Sequence, residues 1–239
     1  MSQPTIALVH GAFADASSWA PAVRRLLERG YDVRAAAGPN RSLVGDAAYI
    51  RSVIEQIDGP VVLVGHSYGG AVIGIAGAAQ NVVALVYAEG YVLEEGETIA
   101  QLQGRFPDSP LVPNLVFSPF PLGDSTGTDV SVKIDAFPEI FAIGVDPETA
   151  RILAASQRPL AASVFEEPAP VAAWKTTPSW GIVSAGDRTI NPDVERFGYE
   201  RAGFRSVTEL DAPHLSMYTH PEEVTQVILT AVAAVTEAD

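Results

Sequence analysis

The stretch PVVLVGHSYGG, residues 60–70, decides the fold. Its first half is a short, fully apolar run rich in valine, which is typical of a strand covered by helices on both faces. Its second half contains a G-x-S-x-G sequence, and small residues continue through Ala79 in a helical pattern. We therefore predict a strand, a sharp turn and a helix in direct succession, with the side chain of Ser67 projecting from the turn.

Similar apolar runs recur on both sides of this stretch, and helical patterns separate them. This alternation predicts an α/β fold with a mostly parallel sheet of about six strands and helices on both faces. The predicted strands cover residues 5–9, 31–36, 60–64, 82–87, 178–184 and 206–210. The predicted helices cover residues 17–29, 46–57 and 71–79, and two more begin at Pro192 and Pro221.

The alternation stops between residues 92 and 177. Residues 106–121 contain several prolines, so we predict loop or short turns there. Helical patterns return at 147–156 and, more weakly, at 160–166. We therefore expect residues 1–91 and 178–239 to form the core and residues 92–177 to form a helical cap insertion, in which acidic residues outnumber basic ones.

Composition excludes several classes of function. The 239 residues carry 15 Lys and Arg against 29 Asp and Glu, a net charge of −14, which argues against nucleic-acid or anionic-membrane partners. The chain has no cysteine, which excludes disulfides, thiolate catalysis and cysteine-bound metal clusters. Its four histidines form no metal-ligand pair, and no nucleotide-binding glycine motif occurs, so we expect neither a metal nor a cofactor. The amino terminus lacks signal-peptide features and the longest apolar run is too short to span a membrane, which predicts a cytoplasmic protein. Nothing in the sequence indicates the oligomeric state.

A serine hydroxyl is a weak nucleophile, so Ser67 needs a base that is itself oriented by a third group. Asp187 follows the predicted strand 178–184, and His214 follows the strand 206–210. Both therefore lie beyond the carboxyl ends of strands, where parallel-sheet sites occur. We predict Ser67 as nucleophile, His214 as base and Asp187 as the acid that orients it.

Three other residues compete for these roles. Asp193 falls inside a predicted helix turn, and Asp211 ends a strand in a position typical of turn formers. His220 precedes Pro221 and is typical of a residue at a helix entry. Asp187 and His214 are therefore preferred.

Two backbone amides are candidates for stabilising an oxyanion. One is the N–H of Tyr68, directly after the nucleophile. The other belongs to the loop after the first strand, where Gly11 lets the chain turn, so that the N–H of Ala12 is preferred and that of Phe13 is held in reserve. In the same interpretation His10 braces the loop by hydrogen bonding.

These motifs, in this order, resemble the α/β-hydrolase fold superfamily over roughly 150 residues outside the insertion, which in turn resembles the cap of that family. The segments QRPL, residues 157–160, and PSW, residues 178–180, are similar to those of small bacterial carboxylesterases, including pyrethroid-hydrolysing enzymes. Plant methylesterases and hydroxynitrile lyases are also similar. In the lyases a threonine replaces the loop glycine and a lysine follows the catalytic histidine, whereas this chain has Gly11 and Leu215. Ala14 stands where the plant loop has a second histidine, so the chain departs from the plant enzymes there.

The resemblance implies a cofactor-independent serine hydrolase that cleaves small to medium apolar esters or lactones. Two alternatives stay open. The same three residues would serve a hydrolase of carbon–carbon bonds or a perhydrolase, and a receptor on this fold would bind ligand without turnover. Haloalkane dehalogenases are excluded because the nucleophile position holds Ser67 and not an aspartate.

Overall fold

The computed structural model describes residues 3–237. In that part of the chain the strands are β1 (Thr5–Val9), β2 (Val33–Ala36), β3 (Val61–His66), β4 (Val82–Ala88), β5 (Leu115–Leu122), β6 (Ser125–Val132), β7 (Leu160–Ala161), β8 (Ser179–Ser184) and β9 (Ser206–Leu210). The α-helices are α1 (Ala20–Glu28), α2 (Leu43–Ile54), α3 (Tyr68–Ala76), α4 (Ile99–Gln103), α5 (Phe137–Ile140), α6 (Pro147–Ser156), α7 (Pro192–Ala202), α8 (Ser216–Thr219) and α9 (Pro221–Thr236). None of these helices is long and apolar enough to cross a membrane.

Six strands form one sheet in the order β2-β1-β3-β4-β8-β9, and every neighbouring pair is parallel. All residues of β3 are buried, because α3 packs directly against it and α9 packs against the sheet at β3, β4 and β8. Each predicted core strand exists within a few residues of its predicted bounds. The predicted sheet of about six parallel strands is confirmed.

The direction of the strands determines where the chemistry lies. Because all six strands are parallel, the loops that follow β1, β3, β4, β8 and β9 leave from the same edge of the sheet. We call this the carboxyl edge. It brings together residues that are far apart in the sequence.

The region between the core strands differs from its prediction. Strand β5 includes residues 115–121 of the stretch 106–121 predicted as loop or short turns; it pairs antiparallel with β6, and β6 pairs with the short β7. The loop prediction is wrong for residues 115–121, because proline excludes regular structure in helix interiors and central strands but not at the edge of a sheet. β5 is an edge strand, so one side of its backbone has no partner strand, and Pro119 and Pro121, two residues apart, occupy the same side of the strand, which lets both lack an N–H while β5 still pairs with β6. Residues 92–177 thus hold a β-hairpin beside α4, α5 and α6, and residues 162–166 form a 3-10 helix.

Some of the helices begin after a side-chain cap that the sequence contains. α7 begins at Pro192 with the side chain of Asn191 accepting a hydrogen bond from the backbone of Asp193, as predicted. α2 begins three residues before its predicted start, because Ser42 accepts from the N–H of Gly45 and caps the first turn. Asp46 instead lies inside the first turn and is buried.

Candidate active site

Ser67 occupies the turn between β3 and α3 in a conformation that few side chains adopt. Its backbone angles are φ 55° and ψ −122°, which places a non-glycine residue in the left-handed half of conformational space. Its N–H donates to the carbonyl of Ala88 at 3.0 Å. A Cβ on Gly65 would collide with the carbonyl of Gly69, so the crossing of strand and helix requires glycine there. The predicted strand, turn and helix are confirmed.

Asp187 and His214 meet at the carboxyl edge, although 27 residues separate them. Nδ1 of His214 lies 2.6 Å from Oδ2 of Asp187, and the other carboxylate oxygen accepts from the N–H groups of Thr189 at 2.6 Å and Ile190 at 3.1 Å. The carboxylate is therefore held by two backbone donors while it holds the imidazole. This contact fixes a proton on Nδ1 and leaves Nε2 free to accept one.

Nε2 of His214 is buried and has no hydrogen-bond partner within residues 3–237, so it is not bonded to Ser67 in this structure. Catalytic hydrogen bonds are often long without substrate and tighten when it binds. The assignment of Ser67, Asp187 and His214 therefore stays a prediction, with the contact between Asp187 and His214 in its favour.

The competing residues lie in other surroundings. Asp193 is exposed and pairs with Arg196 at 2.7 Å, and Asp211 is exposed at the end of β9. Nδ1 of His220 lies 2.9 Å from the hydroxyl of its neighbour Thr219.

The loop after β1 presents backbone amides beside Ser67. Ala12, Phe13 and Tyr68 line the same cavity as Ser67, and none of their N–H groups has a hydrogen-bond acceptor among the described residues. A Cβ on Gly11 would lie 2.8 Å from the Cβ of Ser67. Glycine is needed here because the loop passes so close to Ser67, rather than for the freedom to turn that the sequence suggested.

His10 stabilises this loop through two hydrogen bonds, which together require one tautomer of its ring. Nδ1 lies 2.8 Å from the carbonyl of Gly11, which can only accept, while Nε2 accepts from the N–H of Gly38 at 2.9 Å. Burial lowers the pKa of His10, so the ring stays neutral and both bonds persist at neutral pH. In a trans peptide the carbonyl and the following N–H point in opposite directions. His10 therefore turns the Ala12 N–H away from itself, and the choice between Ala12 and Phe13 as oxyanion donor stays a prediction.

His66, which precedes Ser67, contacts the backbone of His214. Its Nε2 donates to the backbone carbonyl of His214 at 2.9 Å, and the two rings lie 4.6 Å apart between centroids. Burial lowers the pKa of His66 well below its usual range, so His66 is neutral and adds no charge beside His214.

Glu89 is a buried group that the sequence did not reveal. It follows β4 at φ 45° and is completely buried. Its Oε1 lies 2.7 Å from the hydroxyl of Ser184, and its Oε2 lies 3.0 Å from that of Ser216. Ser184 precedes Asp187 by three residues and Ser216 follows His214 by two, so Glu89 links the two segments that carry Asp187 and His214. Burial, reinforced by the charge of Asp187, raises the pKa of Glu89 well above its usual range. The only sequence signal was an acidic residue directly after a buried strand.

A narrow cavity of about 60 Å³ opens onto Ser67 between the carboxyl edge and the insertion. No charged side chain lines it. Its lining residues are Ala12, Phe13, Ser67, Tyr68, Tyr91, Ile99, Gln103, Ser109, Leu111, Val112, Leu115, Leu160, Phe165 and Thr189. A wider depression at the opposite end of the sheet, near Thr5 and Asp32, contains none of the predicted catalytic residues.

The sequence matches one protein-family model, and the structure is similar to many solved structures. Residues 6–227 match the model of the alpha/beta hydrolase family. No curated protein matches the sequence. The fold is similar to that of polyneuridine aldehyde esterase, with a TM-score of 0.84 at 18% identity over 96% of this chain and 99% of the other. It is also similar to a pyrethroid hydrolase from Sphingobium faniae JZ-2, with a TM-score of 0.77 at 20% identity over 98% and 99% of the two chains. A methylesterase from Arabidopsis has a TM-score of 0.80 at 16% identity over 96% and 99%. At such identities the likeness establishes the fold alone.

Proposed function

Because the chain belongs to the α/β hydrolase family, we propose that it is a serine hydrolase that cleaves small, neutral carboxylic esters through an acyl-enzyme. The observation that carries the proposal is the pair of Asp187 and His214, 2.6 Å apart, at the same sheet edge as a serine in a strained turn. The names of similar structures, among them an esterase and a methylesterase, are in accord with ester chemistry.

In the proposed first half-reaction, the hydroxyl oxygen of Ser67 attacks the ester carbonyl and its proton passes to Nε2 of His214. The carbonyl π electrons move onto the oxygen, where the N–H groups of Ala12 and Tyr68 stabilise the negative charge. The intermediate then collapses, the bond to the alcohol breaks, and the imidazolium protonates the leaving oxygen. Asp187 keeps the proton on Nδ1 throughout and stabilises the imidazolium.

In the second half-reaction a water molecule replaces the alcohol. His214 takes a proton from the water, the resulting hydroxide attacks the acyl carbon, and the proton returns to Ser67 as the acid is released. The uncharged, narrow cavity favours short, neutral acyl or alcohol groups over carboxylate-bearing ones, since a charged group there would lose its hydration without finding a partner.

A panel of para-nitrophenyl esters of increasing acyl length tests the proposal. We expect turnover to be fastest for short acyl chains and the Ser67→Ala variant to lose about 10⁴-fold or more in kcat. The matched control is Ser118→Ala, which removes an exposed hydroxyl from strand β5. A Ser67→Ala protein that keeps nearly normal turnover would overturn the proposal.

A further inference from the structure

The cavity at Ser67 is apolar apart from a few hydroxyl and amide groups, and most of these are already paired. The hydroxyl of Tyr68 donates to the carboxylate of Asp46 at 2.8 Å. The hydroxyl of Ser109 donates to the carbonyl of Thr189 at 2.7 Å, and that of Thr189 donates to Ile140 at 3.3 Å. These groups have no proton left to offer a ligand.

Tyr91 and Gln103 form the exception. The amide nitrogen of Gln103 donates to the Tyr91 hydroxyl at 2.6 Å, and within residues 3–237 neither the phenol proton nor the Gln103 carbonyl oxygen has a further partner. If the amide is turned over, the phenol donates to the carbonyl oxygen and the amide N–H₂ becomes free instead. In either orientation the pair keeps at least one unpaired donor and one unpaired acceptor among the described residues. Burial raises the pKa of Tyr91, so the phenol keeps its proton at neutral pH.

The pair also lies close to the reacting serine. The backbone N–H of Tyr91 donates to the carbonyl of Ser67 at 3.2 Å, and both side chains line the same cavity. Gln103, at the end of α4, lines the cavity from the insertion. One member of the pair thus belongs to the core and the other to the insertion.

We propose that Tyr91 and Gln103 form a polar subsite that selects neutral esters carrying a second oxygen, a hydroxyl or keto group, near the scissile carbonyl. The proposal rests on the esterase function argued above. A purely hydrocarbon substrate would cover the pair and leave its free donor and acceptor unpaired, whereas an oxygenated substrate would satisfy them.

Two pairs of substrates test the subsite, and in each pair a hydroxyl replaces a methyl group. On the acyl side they are para-nitrophenyl isovalerate and para-nitrophenyl β-hydroxybutanoate. On the alcohol side they are propyl acetate and hydroxyethyl acetate. The readout is the ratio of kcat/KM for the hydroxyl ester to kcat/KM for its hydrocarbon partner.

We expect Tyr91→Phe to lower this ratio by about five- to tenfold in at least one pair, as the loss of one neutral hydrogen bond predicts. Gln103→Leu should lower the ratio in the same pair of substrates. This second variant tests the subsite independently if Tyr91→Phe fails to fold. The matched control is Tyr87→Phe, which removes a buried phenol hydroxyl that has no hydrogen-bond partner among the described residues, and should leave the ratio unchanged.

Ratios that stay unchanged in Tyr91→Phe and Gln103→Leu for both pairs would overturn the subsite, and so would an equal fall in Tyr87→Phe. The esterase proposal survives either result as long as wild type cleaves the hydrocarbon esters in a Ser67-dependent manner. A wild-type protein that cleaves no member of either pair would overturn the esterase proposal and the subsite together.

Discussion

The carboxyl edge of the sheet and the insertion of residues 92–177 enclose the same cavity, but they are built differently. At the edge, each candidate group is held by contacts that few other residue types could make, such as the passage of Gly11 beside Ser67. In the insertion, large apolar side chains remain exposed on and beside the hairpin, with Phe117 at 62% and Leu122 at 56%. Close packing leaves little room for change, whereas exposed positions tolerate it. We therefore expect changes at the edge to reduce kcat and changes in the insertion to alter KM.

The largest effect on kcat is expected at Asp187, whose carboxylate lies at the carboxyl edge. Asp187→Asn should lower kcat by about 10⁴-fold, because an amide holds the imidazole in the wrong tautomer. Steady-state kinetics on a para-nitrophenyl ester measures this, and the exposed Asp193→Asn is the matched control with kcat within about twofold of wild type. A loss below about tenfold in Asp187→Asn would show that the imidazole does not depend on this residue.

A glycine pair compares the two regions directly. Gly11→Ala places a Cβ 2.8 Å from that of Ser67, so the loop must shift and carry its amides away from the oxyanion. We expect kcat to fall by about 10²- to 10³-fold, as when one oxyanion donor is lost. Gly123 lies in the hairpin turn at φ +58° with open space around it, so Gly123→Ala should cost about 1 kcal/mol of unfolding free energy from backbone strain alone.

Kinetics and urea unfolding of both glycine variants separate these effects. If Gly123→Ala lowered kcat as much as Gly11→Ala, the proposed division of roles between edge and insertion would be wrong.

The same contrast explains what the sequence could predict. The core strands could be predicted because each is a short apolar run between helical patterns. The turn at Ser67 could be predicted because the G-x-S-x-G sequence directly follows such a run, and glycine at its ends allows the strand and the helix to pack closely. The local sequence also placed Asp187 and His214 after strands. Their contact follows from the parallel order of β8 and β9.

The missed features depend on contacts between distant residues. Strand β5 was missed because its prolines are compatible with a strand only at an edge, and the sequence does not show which strand lies at an edge. Glu89 was missed because its partners Ser184 and Ser216 lie 95 and 127 residues away. The pairing of Tyr91 with Gln103 likewise depends on where α4 packs.

A smaller effect is expected at Glu89, on the pH dependence of the free energy of unfolding. Because burial raises its pKa in the folded state, the unfolded chain loses this proton first as the pH rises above the ordinary carboxyl range. The folded state then binds more protons than the unfolded state, so this group makes wild type less stable as pH increases. The Glu89→Gln variant keeps the shape of the side chain but cannot titrate. For each pH unit over which Glu89 is protonated in the folded state and ionised in the unfolded state, the free energy of unfolding of wild type falls by about 1.4 kcal/mol.

Urea unfolding of wild type and Glu89→Gln from about pH 5 to pH 8 measures this effect. We expect the stability of the variant relative to wild type to increase with pH. Glu195, Asp187 and His66 lie in the same region and remain in both proteins. A difference that is constant across the range would show that Glu89 is ionised in the folded protein.

The smallest effect is expected where the hairpin meets the core. Arg41 forms an ion pair with Asp129 of β6 and lies over the ring of Phe120 at 4.6 Å from its centroid. Arg41→Gln should cost less than about 1 kcal/mol of stability, as exposed ion pairs do. Because Leu115 of the same hairpin lines the cavity, we expect KM to rise about twofold while kcat stays close to wild type. Arg51→Gln removes a comparable exposed pair with Glu55 on α2, at 2.7 Å, and should leave KM unchanged. Equal KM values in the two variants would mean that the position of the hairpin, and with it the substrate preference, does not depend on the contact at Arg41.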